Sequence, residues 1–304
     1  MRPFLKSMGL FLSIIVVIGG GLEWLARGIP NDYKRKAAWL DAHAGNVQVL
    51  VLGGSQSLFG IDPALLHVPA FNACHLSQSV NFDYEILKKY ASKLDDLQTL
   101  IFTLSYPTLG GRIEHTSESW RIKNYNLYYG IHAYSRPVDY TELLSHRFRD
   151  NISLITKYYI EHKSNIYCTD LGWATNYNST RLDTGALLSS GRYDAARHNL
   201  IAKEYIGPNL AIMDSILAIA AGKHCRIIFY TPPVHRGYRE RVDSRILAEV
   251  TGKIGDMVKK HANCVYYNLF DNQAFGDRDY FDGTHLNHSG ARKLSAMVDS
   301  LLKL

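Results

Sequence analysis

Two short segments at opposite ends of the 304-residue chain hold residue types that can act as one catalytic unit. The first is Gly53-Gly54-Ser55-Gln56-Ser57, which follows a β-branched apolar run. Glycines on a sharp strand-to-helix turn expose the next serine at the carboxyl end of a sheet and leave its backbone N–H free for an oxyanion. The second is Asp282-Gly283-Thr284-His285, near the C-terminus. An Asp three residues before a His reaches the imidazole within one turn and holds the tautomer that a general base needs. Ser55, His285 and Asp282 are thus the expected nucleophile, base and orienting acid of an acyl-transfer site. Each segment alone is commonplace. Together they carry weight only in a fold that brings both turns to one sheet edge.

The rest of the chain predicts such a fold. Residues 47–52, 97–104, 226–230 and 264–268 are apolar runs with β-branched or aromatic character, read as strands. Helical patterns cover 84–94, 199–221, 244–261 and 289–302. Strands alternating with helices predict an α/β fold, a three-layer α/β/α sandwich on a parallel, flavodoxin-like sheet. Residues 107–195 break the alternation and, with Tyr106 at their edge, hold eleven of the twenty tyrosines. They read as an insertion packed over the carboxyl ends of the strands, where open α/β sheets bind ligands. Tyrosines in such a cap either stack on sugar rings or pack the cap itself, and both readings stand.

The N-terminus differs from the rest. Arg2 and Lys6 precede an uncharged, apolar stretch from Ser7 to Leu22, and Glu23 interrupts it before Trp24. The stretch falls between a signal-peptide core and the ~20 residues of a full span. With no Ala-x-Ala cleavage site, residues 1–30 are expected to form an uncleaved membrane anchor, a cleaved signal peptide being the alternative. Residues 31–304 then form the α/β domain, exported to the periplasm or cell surface.

Composition narrows the classes further. With 46% hydrophobic and 20% charged residues the chain builds a core and is not disordered. A mean hydropathy of -0.14 excludes a polytopic membrane protein. The net charge of +6 is spread without a basic block, and no nucleic-acid motif accompanies it, so no nucleic-acid partner is expected. Four cysteines show no metal spacing, and the thirteen histidines lack ligand-spaced partners. No metal or other cofactor is expected, and Cys225 and Cys264 read as buried thiols.

The two catalytic segments together resemble the SGNH (GDSL-like) hydrolase superfamily. There the nucleophile sits in an N-terminal Gly-Asp-Ser block, and Asp-x-x-His precedes the last helix. Here Gly53-Gly54-Ser55 stands in the first place and Asp282-Gly283-Thr284-His285 matches the last. The resemblance covers roughly residues 45–106 and 196–304. It implies that a second block follows the second strand, where Asn72-Ala73-Cys74-His75-Leu76-Ser77-Gln78-Ser79 stands. Ser77 then replaces the glycine whose N–H completes the oxyanion hole, beside the N–H of Ser55. The third block, Gly-x-Asn-Asp, is missing, and Thr103-Leu104-Ser105-Tyr106-Pro107-Thr108 takes its place. Tyr106 and His235, the latter in Thr231-Pro232-Pro233-Val234-His235, are the expected pocket residues.

With the N-terminal anchor, these departures are similar to a membrane-anchored subgroup that modifies cell-envelope and exopolysaccharide glycans. The resemblance implies an extracytoplasmic ester hydrolase or O-acyltransferase, an acylated glycan as substrate, and a polytopic membrane acyltransferase as partner. The competing expectation is a non-catalytic glycan-binding or assembly protein on a degenerate SGNH scaffold. The intact Ser55, Asp282 and His285 favour catalysis, and the missing asparagine favours the alternative.

Overall fold

A computed structural model describes residues 2–134, 136–145, 147–178, 183–200 and 203–303. In chain order the elements are α1 (Arg2–Gly28), α2 (Asp32–His43), β1 (Val49–Leu52), α3 (Ser55–Gly60), β2 (Ala70–Asn72), α4 (Val80–Tyr90) and β3 (Thr99–Thr103). There follow α5 (Ile122–Asn124), α6 (Glu142–Ser145), α7 (Phe148–Tyr159), α8 (Thr184–His198) and α9 (Ile206–Gly222). The chain ends with β4 (Arg226–Thr231), α10 (Arg236–Arg239), α11 (Ser244–Lys259), β5 (Cys264–Asn268) and α12 (His288–Leu302).

The five strands form one parallel sheet in the order β2-β1-β3-β4-β5. The fold is the expected three-layer α/β/α sandwich. Central strands β1 and β3 are buried at every position, as a sheet covered on both faces requires. Val49, Val51, Ile101, Ile228 and Tyr230 share a cluster with Leu58 and Phe59 of α3 and Leu294 and Val298 of α12. Leu50, Leu52, Leu100, Phe102, Ile227 and Phe229 alternate with them, are also buried, and take the opposite face, on the side of the packed pair α4 and α9. The strand order reverses between β1 and β3, so the crevice outside their carboxyl ends is the switch point where such sheets hold ligands. All four cysteines are buried free thiols.

The chain divides into two compact units, Met1–Ala37 with Ser117–Ile166, and Ala38–Thr116 with Tyr167–Leu304. The second unit contains the whole sheet. This division differs from the expected insertion at 107–195, because residues 167–195, with most of α8, belong to the sheet-bearing unit. The tyrosine-rich stretch 117–166 joins α1 and the start of α2 instead. Tyr125 and Tyr129 are fully buried there, and Tyr125 packs edge-on against Tyr33 at 5.3 Å, so these rings pack a core. In the same unit the Lys123 ammonium is paired with Glu142, whose other oxygen accepts the Tyr128 hydroxyl at 2.6 Å. The 27-residue α1 is long and apolar enough to cross a membrane.

Candidate active site

The turn from β1 into α3 admits few residues. Gly53 has φ +128, a conformation that side chains rarely adopt, and a Cβ there would meet the Thr103 hydroxyl at 2.8 Å. Glycine lets this turn lie against the end of β3. A Cβ on Gly54 would come within 3.3 Å of the Gln78 carbonyl, so residues 75–79 run close over the same turn. Ser55 is the first residue of α3, where its N–H has no acceptor inside the helix. Asn72, at the end of β2, fastens this short helix by donating to the carbonyls of Ser57 and Ile61, each at 2.9 Å. Beneath α3, the hydroxyls of Ser57, Thr103 and Tyr230 bond to one another in the core.

The second turn is closed on itself. Tyr280 and Leu286 form an antiparallel bridge, and Phe281 N–H donates to the His285 carbonyl at 2.9 Å. Asn287 caps α12 by accepting from Ser289 and Gly290 N–H, while its amide donates back to Arg278 and Tyr280 carbonyls. Within this loop, Asp282 accepts the N–H groups of Thr284 and His285, both at 2.9 Å. His285 Nδ1 donates to the same carboxylate at 2.9 Å. Its Nε2 lies 2.8 Å from Ser55 Oγ, across 230 positions of sequence. A carboxylate only accepts, so the proton sits on Nδ1 and Nε2 faces the serine as the acceptor. Burial pushes the Asp282 carboxyl up, but His285 and the two backbone donors outweigh it and hold it below the ordinary carboxylate value. Gln56 ties the two turns together by donating to the Thr284 carbonyl at 3.1 Å.

Several residues around this relay give no local signal in the sequence. His285 stands edge-on to Phe59 at 5.6 Å and to Tyr177 at 5.3 Å. Tyr177 is itself sandwiched between Phe59 and Phe281, at 3.6 and 4.0 Å between ring centres. The outer ring, Phe281, remains 38% exposed. Helix α8 lies against the relay through glycines. A Cβ on Gly283 would overlap the Gly191 backbone, and one on Gly191 would meet Tyr238 N at 2.5 Å. Ser190 Oγ accepts the Gly283 N–H at 2.9 Å. Below the nucleophile turn, the buried Asp83 of α4 accepts the Gly53 N–H at 2.8 Å and the Gln78 amide at 2.6 Å.

The remaining expected residues are placed differently from one another. Ser77 has φ +56, so a serine stands in the left-handed region beside the Gly54 turn. Tyr106 lines a narrow cleft together with Gln56, Ser105, Thr231 and Tyr238, and its hydroxyl donates to Asn199 at 2.8 Å. His235 is not among the cleft residues. It is 2% exposed, its Nδ1 accepts the Gly237 N–H, and its Nε2 bonds Asp277 at 3.2 Å. Both ring nitrogens are thus engaged in closing the start of α10. His288 begins α12 and bonds the Thr175 carbonyl. Among the described residues no cluster of three His, Cys, Asp or Glu is arranged to hold a metal ion.

No family model matches the chain, and no curated protein matches it. Among solved structures, one from Streptococcus pneumonia, named for a platelet activating factor, is similar at 10% identity with a TM-score of 0.44. The likeness covers 95% of this chain and 99% of that one. At that level it carries no weight for the site, whose reading rests on its own geometry.

Proposed function

We propose that the chain is a serine-dependent ester hydrolase or O-acyltransferase of the SGNH type. On this reading α1 holds it at a membrane with the sheet-bearing unit outside the cytoplasm, and its substrates are acylated cell-envelope or exopolysaccharide glycans. One observation carries the chemistry: the aligned relay from Ser55 Oγ through His285 to Asp282. As Ser55 Oγ attacks the ester carbonyl, its proton passes to His285 Nε2, and Asp282 stabilises the imidazolium. The backbone N–H groups of Ser55 and Ser77 hold the oxyanion. Collapse expels the alcohol, which takes the proton from His285 and leaves an acyl-serine. Water or a sugar hydroxyl then attacks, gives its proton to His285, and releases Ser55 with that proton returned. Gln56, the residue after the nucleophile, and Tyr106 line a narrow cleft that is the proposed place of the acyl group. A polytopic membrane acyltransferase is the partner that would supply the acyl group to a transferase.

A fluorophosphonate probe tests the reading, because it labels only an activated serine. Wild-type protein should be labelled, and Ser55→Ala and His285→Ala should each abolish labelling while staying folded. A folded wild type that resists the probe would favour the non-catalytic glycan-binding alternative.

A further inference from the structure

Away from the relay, the unit formed by residues 1–37 and 117–166 carries a surface that its own packing leaves uncovered. Leu144 and Phe148 are 64% and 65% exposed. Arg147 and Arg149 flank Phe148 and are exposed as well. Scattered apolar residues are normal on any surface. Two large ones at a helix corner, with an arginine before and after the phenylalanine in sequence, form the pattern of a segment that meets both acyl chains and headgroups.

Contacts with α1 fix where this corner lies along that helix. Both Glu23 oxygens accept backbone N–H groups at the start of α6, from Glu142 and Leu143, each at 3.0 Å. At the other end of α7, the Tyr159 hydroxyl donates to the Leu25 carbonyl at 3.1 Å. It also fills the space beside Gly28, where a Cβ would lie 2.6 Å away. Asn151 links the two ends by donating to the Leu143 carbonyl at 3.0 Å. Following α7 from Tyr159 back to Asn151 therefore runs from the level of Leu25 and Gly28 to the level of Glu23. Phe148 lies three residues farther along α7 in the same direction, at its first position. Trp24, at the same level, is 75% exposed, and tryptophan favours the membrane–water boundary. Glu23 reaches that boundary with its charge matched by Arg27 at 2.6 Å and by the two N–H donors, which removes the cost of a bare carboxylate there.

We propose that the corner between α6 and α7 is a lipid-docking surface: Leu144 and Phe148 enter the acyl boundary of the leaflet from which α1 emerges, and Arg147 and Arg149 engage anionic headgroups. This inference rests on the reading of α1 as a membrane span. Its consequence is that the unit is held against the bilayer at two places, the span and the corner, so it cannot swing freely about α1.

The test uses the full chain in vesicles of phosphatidylcholine and phosphatidylglycerol, with nitroxide labels at Leu144→Cys and Phe148→Cys in separate proteins. The four native cysteines are buried, and both replaced residues are exposed, so labelling and folding are preserved. Val16→Cys reports the span, and Arg245→Cys, whose native side chain is 89% exposed, reports water. Power saturation should show labels 144 and 148 accessible to oxygen and shielded from a nickel chelate, between the two references. Vesicles of phosphatidylcholine alone should reduce that shielding. If label 16 is deep while 144 and 148 match label 245, the docking is overturned and the span stands. If label 16 also matches 245, the span fails and takes the docking with it. Labels that are water-exposed in pure lipid but shielded from both reagents in native membranes would also overturn the proposal, since a protein would then cover the corner.

Discussion

Replacing Asp83 by asparagine separates the charge of one buried group from its shape. Asp83 is 1% exposed, and its Oδ1 takes both hydrogen bonds, from Gly53 and Gln78. Among the described residues its Oδ2 has no hydrogen-bond partner. Burial pushes the carboxyl from an ordinary 3.8 up to about 7, with the Gln78 and Gly53 donors opposing the shift. An acid raised in this way contributes stability that is fully present below the unfolded value of 3.8. That stability is lost as pH rises and is exhausted above about 7. At about 1.36 kcal/mol per pKa unit, the ceiling on this loss is about 4 kcal/mol. Relaxation and water entry lower it in practice. An amide in place of the carboxyl would keep an oxygen for both donors and stay neutral throughout. Asp83→Asn should therefore gain about 1–3 kcal/mol relative to wild type between pH 5 and pH 8, read as the change in urea midpoint at constant slope. The same difference in stability at both pH values would refute the reasoning, because the carboxyl would then titrate alike in the folded and unfolded chains.

Other perturbations separate the remaining parts. Asp282→Asn should lower turnover of a short aryl ester by ~10³-fold or more, by presenting the wrong tautomer of His285 to Ser55. It should also flatten the acid limb of stability, since a carboxyl held below its ordinary value stabilises the fold above that value and loses this as pH falls; an unchanged acid limb would contradict the assignment. Gly283→Ala drives a methyl into the Gly191 backbone and should cost about 1–3 kcal/mol, lowering the melting temperature and probe labelling together. Lys123→Met leaves Glu142 buried without its cation and should cost about 3 kcal/mol or more. Adding Glu142→Gln should restore much of that, and a simple sum of losses in the double variant would show that the pair is not coupled.

What the sequence makes legible follows from how local each signal is. β5 spans the expected 264–268, and β4 and α12 begin within one residue of their expected starts, because runs such as Arg226-Ile227-Ile228-Phe229-Tyr230 need no tertiary information. β2 has three residues, too short for any periodicity to show. The pairing of Ser55 with His285 is foreseeable from two turns that one topology must bring together. The boundary of the insertion is not, since tyrosines continue through Tyr193 while α8 is bound to the sheet-bearing unit by Gly191. That glycine acquires meaning only against Gly237 and Gly283, far along the chain. Asp83 sits between Phe82 and Tyr84 on an amphipathic helix and reads locally as a solvated charge. One of its two donors, the Gly53 N–H, lies thirty residues away. His235 reads as a pocket residue from its neighbours in sequence, whereas its two hydrogen bonds face inward.

The last turns of α1 bear on how this protein can be shortened or released. A cut after residue 30 would remove the apolar segment, but also the Glu23 carboxylate that satisfies two N–H groups of α6, the Leu25 carbonyl that takes the Tyr159 hydroxyl, and the Arg27 side chain that donates to Tyr140 O. Four partners would be stranded at once, next to a buried ion pair at Glu142. The dispensable part of the N-terminus thus ends before Glu23. A shortened chain that keeps these contacts begins near residue 22, and a cut farther along would shed a piece of the folded unit along with the apolar segment.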